Sequence, residues 1–156
     1  MQVRMTINGT PRTLEVEPTT TLLDALRDAG YKGVKVGCRE AACGACTVLV
    51  DGKARLSCIL FAAQLEGREV TTIEGLGTPD APHPLQQAFV EVGAVQCGYC
   101  TPGTILSAKA LLDGQPAPSE AEIREALDGN LCRCTGYVKM IDAVNLAASR
   151  LREEKP

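Results

Sequence analysis

Gly37-Cys38-Arg39-Glu40-Ala41-Ala42-Cys43-Gly44-Ala45-Cys46-Thr47 is the stretch on which the fold of the first half turns. Its cysteines follow C-x4-C-x2-C, and a fourth, Cys58, arrives from a separate segment beyond the stretch Thr47 to Leu56. A loop of this kind wraps an inorganic centre and delivers three thiolates to it, and the distant cysteine closes the site. The spacing is that of a plant-type [2Fe–2S] centre. Gly37 and Gly44 suit it, because the backbone must approach inorganic sulfide closely with N–H groups turned inward. A structural zinc site favours paired C-x2-C units, and only Cys43 and Cys46 form one here. A disulfide framework needs an oxidising compartment.

The segments on either side read as mixed strand and helix. Gln2 to Ile7 and Thr13 to Glu17 are strand-like, with Asn8-Gly9 between them as a hairpin signal. Leu22, Ala25, Leu26 and Ala29 repeat at helical spacing after Thr20 or Thr21, and Gly30 stops them. Thr47 to Val50 is a strand that Asp51-Gly52 turns into Lys53 to Leu56, and Arg68 to Ile73 reads as a last strand. A hairpin, a helix and further strands predict a small α+β sheet crossed by one helix, the β-grasp arrangement.

Glu74 to Pro84 has no periodic apolar pattern and reads as a connection. His83, the single histidine, is expected to face solvent or cap a helix rather than bind a metal. Helical grammar follows. Leu85, Ala88, Phe89 and Val92 form one apolar face behind Pro84, and Ile105, Ala108 and Leu112 form another behind Pro102. Ser119-Glu120-Ala121-Glu122 is a capping box, and Val138, Ile141, Val144 and Ala148 open a last helix. The division expected is 1–76 for the first domain, 77–83 for the connection and 84–156 for an all-α four-helix domain.

Cys97-Gly98-Tyr99-Cys100 and Cys132-Arg133-Cys134 lie between these predicted helices, each pair just ahead of a helix start. Free N–H groups and the helix dipole at such ends favour negative charge. Four thiolates there suit a second cluster that becomes more anionic on reduction. By spacing alone, zinc stays open at this second group.

Length and composition bound the rest. The 156 residues are 45% hydrophobic and 22% charged, with no Trp and only 3% aromatics. A core of aliphatic side chains follows, and bound metal centres would staple it. The net charge of −3, with Lys and Arg scattered, argues against nucleic acid. No apolar run reaches a membrane span, and the N-terminus lacks the apolar segment of a secretory signal. A cytoplasmic protein is expected, in which eight cysteines serve as metal ligands. No G-x-G-x-x-G follows a strand, so dinucleotides should bind elsewhere.

Taken together, Gly37-Cys38 through Val48, Gln96-Cys97-Gly98-Tyr99-Cys100-Thr101-Pro102-Gly103 and Gly129-Asn130-Leu131-Cys132-Arg133-Cys134-Thr135-Gly136-Tyr137 resemble the iron–sulfur subunit of molybdenum hydroxylases. This is the xanthine dehydrogenase and aldehyde oxidase family, with its carbon monoxide, nicotinate and hydroxybenzoyl-CoA enzymes. The resemblance spans nearly the whole chain in the family's order. It implies a β-grasp ferredoxin-like domain followed by a helical [2Fe–2S] domain. Cys38, Cys43, Cys46 and Cys58 match the ligands of the cluster nearer the flavin. Cys97, Cys100, Cys132 and Cys134 match those of the cluster nearer molybdenum. Gln96 and Cys134 occupy the places that lie against the pterin, which is of the molybdopterin cytosine dinucleotide type. A large subunit would hold that pterin and a medium subunit FAD, in a dimer of heterotrimers. The substrate would be a purine, an N-heterocycle or an aldehyde, and this chain would carry electrons but no catalytic residue. The alternative is a free-standing two-cluster ferredoxin or redox sensor. One departure stands out: Arg39-Glu40-Ala41-Ala42 replaces a stretch where the family has glycine, and a left-handed Ala there would be strained.

Overall fold

Asn8 and Gly9 both take positive φ (52° and 75°), the backbone of a tight two-residue hairpin turn. The computed structural model describes residues 1–153, so residues 154–156 of the expected helical domain lie outside the described residues. The Asn8-Gly9 turn joins β1 (Gln2–Ile7) to β2 (Thr10–Glu15), and pairing begins at Ile7 and Thr10. The second strand therefore starts three residues earlier than the apolar pattern suggested, since a two-residue turn pairs its neighbours at once. Asp51 (φ 48°) and Gly52 (φ 75°) repeat the device between β3 (Thr47–Val50) and β4 (Lys53–Leu56). The last strand, β5 (Glu69–Thr71), is shorter than the expected 68–73. Its end is set by Asn8, whose side chain accepts from the Thr72 N–H at 2.8 Å and donates to the Thr72 hydroxyl at 2.9 Å. That diverts the chain out of the ladder.

The sheet order is β2-β1-β5-β3-β4, with β1 and β5 parallel and the other pairs antiparallel. One face of β1 (Val3, Met5, Ile7) meets α1 (Leu22–Asp28), which buries Leu22, Leu23, Ala25 and Leu26. Thr21 caps this helix by accepting from the Asp24 N–H at 3.1 Å. This is the expected β-grasp layout.

A second apolar core is built by four helices: α2 (Pro84–Glu91), α3 (Thr101–Gly114), α4 (Glu120–Leu127) and α5 (Val138–Glu153). Phe89, Leu85, Ile123, Met140 and Val144 are sealed inside it, and Ile73 and Leu76 pack against it from the segment that follows β5. His83 caps α2, its Nδ1 accepting from the Leu85 N–H at 3.1 Å. Ser119 and Glu122 form the reciprocal box that opens α4.

The two cores meet where α3 crosses β3 and β4. There Gly44 (φ 72°) is buried against the backbone carbonyl of Gly129 and the Asn130 amide. A Cβ on Gly44 would stand inside van der Waals contact of that carbonyl and 2.7 Å from Asn130 Nδ2. Gly103 faces the same seam, where a Cβ would lie 2.5 Å from the Gly44 carbonyl oxygen.

Replacing Gly44 with Ala therefore carries two costs, and replacing Gly52 carries one. Both glycines are left-handed, but nothing stands within 4 Å of a Cβ at Gly52. Thermal unfolding should show Gly52→Ala losing only the strain of about 1–2 kcal/mol. Gly44→Ala should lose clearly more.

Candidate iron–sulfur centres

Backbone conformation shapes the first cysteine loop. Arg39 (φ 63°), Ala41 (φ 65°) and Gly44 (φ 72°) are all left-handed, and they curl residues 37–46 so that N–H groups point inward. The Glu40 and Ala42 N–H groups donate to Cys38 Sγ at 3.4 and 3.3 Å. These bonds, Glu40's foremost, bring the partly exposed Cys38 thiol down to about 7. Gly37 needs to be glycine because a Cβ would collide with Cys43 Sγ. Arg39 is held by a two-point ion pair to Asp24 in the first turn of α1 (2.9 and 3.0 Å).

Cys46 and Cys58 form the inner side of this site. Both are buried, and burial pushes Cys46 up to about 11. The β3–β4 pairing runs up to Thr47 and Leu56, so the residues just beyond it are neighbours. The Ser57 hydroxyl fixes them by donating to the Cys46 carbonyl at 2.7 Å. The side chains pair as Cys38 with Cys43 and Cys46 with Cys58.

The second group is assembled from two helix approaches. Cys100 stands at the N-cap of α3, and Cys132 and Cys134 lie in the loop before α5. Their side chains pair as Cys100 with Cys132 and Cys97 with Cys134. Burial pushes Cys100 up to about 12. Partial burial also acts to raise Cys132, but the Thr135 hydroxyl and N–H donate to its sulfur and bring it to about 7. Cys97 and Cys134 are exposed, and the exposed Gln96 adjoins Cys97 in the chain.

The two groups are tied together by backbone. The Leu131 N–H, next to Cys132, donates to the Cys43 carbonyl at 2.9 Å. The buried Asn130 amide donates to the Gly44 carbonyl at 3.1 Å and to the Thr47 hydroxyl at 3.3 Å. On the other side, the Tyr99 hydroxyl donates to the Val36 carbonyl at 2.7 Å. None of these links is readable from the sequence. Asn130 and Tyr99 stand inside the cysteine motifs, but their partners lie far along the chain.

Comparison with known proteins agrees with this architecture. A 2Fe-2S iron-sulfur cluster binding domain matches residues 5–72, and a [2Fe-2S] binding domain matches residues 72–145. The chain is 50% identical to the nicotinate dehydrogenase small FeS subunit of Eubacterium barkeri, over 95% of each. The chain belongs to the iron–sulfur subunit family of the molybdenum hydroxylases. It is also 47% identical to the nicotine 6-hydroxylase small subunit of Paenarthrobacter nicotinovorans, over 92% of this chain and 87% of that one. Among solved structures, quinoline 2-oxidoreductase from Pseudomonas putida 86 superposes with a TM-score of 0.94 at 44% identity, covering 100% of this chain and 98% of that one. An iron–sulfur subunit of this family is an electron-transfer protein with two [2Fe–2S] domains. No helix among the described residues is long and apolar enough to cross a membrane.

The residues present fit two such clusters. Each group offers four sulfurs in two pairs, matching two irons with two thiolates each. The glycine at 37 leaves room that a Cβ would fill, and N–H donors already face sulfur. Buried thiols held protonated without metal are deprotonated outright on coordination.

The left-handed Ala41 is a site of stored strain. Ala41→Gly should raise the temperature at which the iron–sulfur absorbance is lost, corresponding to about 1 kcal/mol of relief. Arg39→Gly should show no such net gain, because it also removes the ion pair to Asp24.

Proposed function

We propose that this chain is the electron outlet of a molybdenum hydroxylase. Cys38, Cys43, Cys46 and Cys58 would hold one cluster, and Cys97, Cys100, Cys132 and Cys134 the other. The functional units are residues 1–76 and 84–156, joined by 77–83. When bound, the two clusters pass single electrons from a molybdenum–pterin site toward a flavin or another acceptor.

The observation that carries this reading is the hydrogen bond from Leu131 N–H to the Cys43 carbonyl. It joins a ligand of one site to a ligand of the other through peptide bonds and one hydrogen bond. Asn130 clamps the same seam from within the fold, so the spacing between sites is set by packing rather than by a flexible connection.

The exposure of the chain's own residues supports a direction for the two ends. Cys97 and Cys134 are solvent-facing, and Gln96 beside them carries an amide that can both donate to and accept from a pterin edge. That face would meet a molybdopterin of the cytosine dinucleotide type, held by a large subunit. The Cys38–Cys43 edge, also accessible, would face FAD in a medium subunit. We infer a cytoplasmic dimer of heterotrimers acting on an N-heterocycle, with purines and aldehydes as the other substrate classes. The names of the similar nicotinate, nicotine and quinoline enzymes support the N-heterocycle. The chain contributes no catalytic residue.

Purified from its native cells and reduced, the protein should show two distinguishable EPR signals, with iron and acid-labile sulfide in equal amounts. Cys43→Ser should remove or alter one signal and Cys100→Ser the other. A colourless zinc protein, or a single signal at full iron content, would overturn the assignment. Recovery as a lone 16.5 kDa species would favour the free-standing ferredoxin.

A further inference from the structure

The loop that delivers Cys132 and Cys134 closes on itself through four hydrogen bonds that involve side chains. The Cys132 N–H donates to the Tyr137 hydroxyl oxygen at 2.7 Å. The Tyr137 N–H donates back to Thr135 Oγ1 at 3.4 Å. Thr135 Oγ1 in turn lies 3.1 Å from Cys132 Sγ, and the Thr135 N–H lies 3.4 Å from the same sulfur. Tyr137 takes φ 70° to fold its ring back over the loop.

This circuit leaves the Thr135 hydroxyl little choice of direction. Its oxygen is engaged as an acceptor by Tyr137, and its proton faces sulfur. The Cys132 sulfur stands for the thiolate that iron would hold, and a thiolate can only accept. A donor aimed at a ligand sulfur stabilises the more anionic, reduced state of a cluster, and hydrogen bonds to sulfur are one of the levers on cluster potential. At Cys38, in the first site, the donors from Glu40 and Ala42 are backbone groups, which substitution leaves in place.

We propose that Thr135 is a tuning residue, whose hydroxyl raises the reduction potential of the helical unit's cluster through Cys132. A downhill step between two clusters depends on their potentials differing, and a hydroxyl held against a ligand sulfur of one cluster is a means of setting that difference. The proposal rests on the assignment of Cys132 as a ligand.

The test is an EPR-monitored redox titration of the intact complex carrying Thr135→Val, which keeps the shape and the backbone N–H but loses the hydroxyl. One of the two signals should move to lower potential while the other stays where it is in the wild type. Thr135→Ser, which restores a hydroxyl, should return the moved signal toward the wild-type potential. Should Thr135→Val fail to take up iron, Thr135→Ala is titrated in its place with the same expectation. Unchanged potentials at full iron content, or equal shifts of both signals, would overturn the proposal. Cys132→Ala separates the two levels of the argument. If it leaves both signals intact, the ligand assignment has failed; if it removes one while the Thr135 variants shift none, only the tuning role has failed.

Discussion

The close backbone contact between the two cysteine loops is the constraint on which the rest of the structure depends. Gly44 lies against the Gly129 carbonyl, Gly103 lies against Gly44, and the Leu131 N–H reaches the Cys43 carbonyl. Such an approach is possible only where side chains are absent, which is why glycines stand on both sides of the seam. Asn130 completes it from a buried position, and its amide reaches two acceptors on the first loop. A buried amide left without them would cost about 1–3 kcal/mol. Each half keeps its own apolar core, yet the halves cannot shift apart without breaking these bonds.

The electrostatics follow from the same placement. Each site has a more buried pair of sulfurs and a more accessible pair: Cys46 and Cys58 against Cys38 and Cys43, and Cys100 and Cys132 against Cys97 and Cys134. The buried Cys46 and the half-buried Cys100 resist ionisation until a metal replaces the proton, whereas Cys38 and Cys132 already receive donors that favour thiolate. Arg39, in the loop of the first site, is anchored by Asp24 on α1. The exposed ion pair contributes orientation more than stability.

Local chemistry was legible from the sequence, and distant chemistry was not. Asn8-Gly9 and Asp51-Gly52 announced their hairpins because φ > 0 at both positions suits few other residues. Ser119 and Glu122 announced α4 because capping is local, and His83 proved to be a cap as expected. The stretch Arg39-Glu40-Ala41-Ala42, standing where the family has glycine, pointed to a left-handed position without saying which; the backbone places it at Ala41 and also at Arg39. By contrast, β5 ends early because of Asn8, and the partners of Asn130 lie more than eighty residues away. The hydroxyls of Tyr99 and Thr135 looked like ordinary polar residues of a motif until the fold supplied an acceptor for each.

The central claim is that the two sites are held at a fixed, short spacing by the seam, so that they act as one conductor. The direct measurement is the magnetic interaction between them in the fully reduced protein at low temperature. The account predicts splittings of both EPR signals that appear only when both sites are reduced, and that weaken in Asn130→Ala. Two signals that stay unsplit in the fully reduced wild type would contradict it.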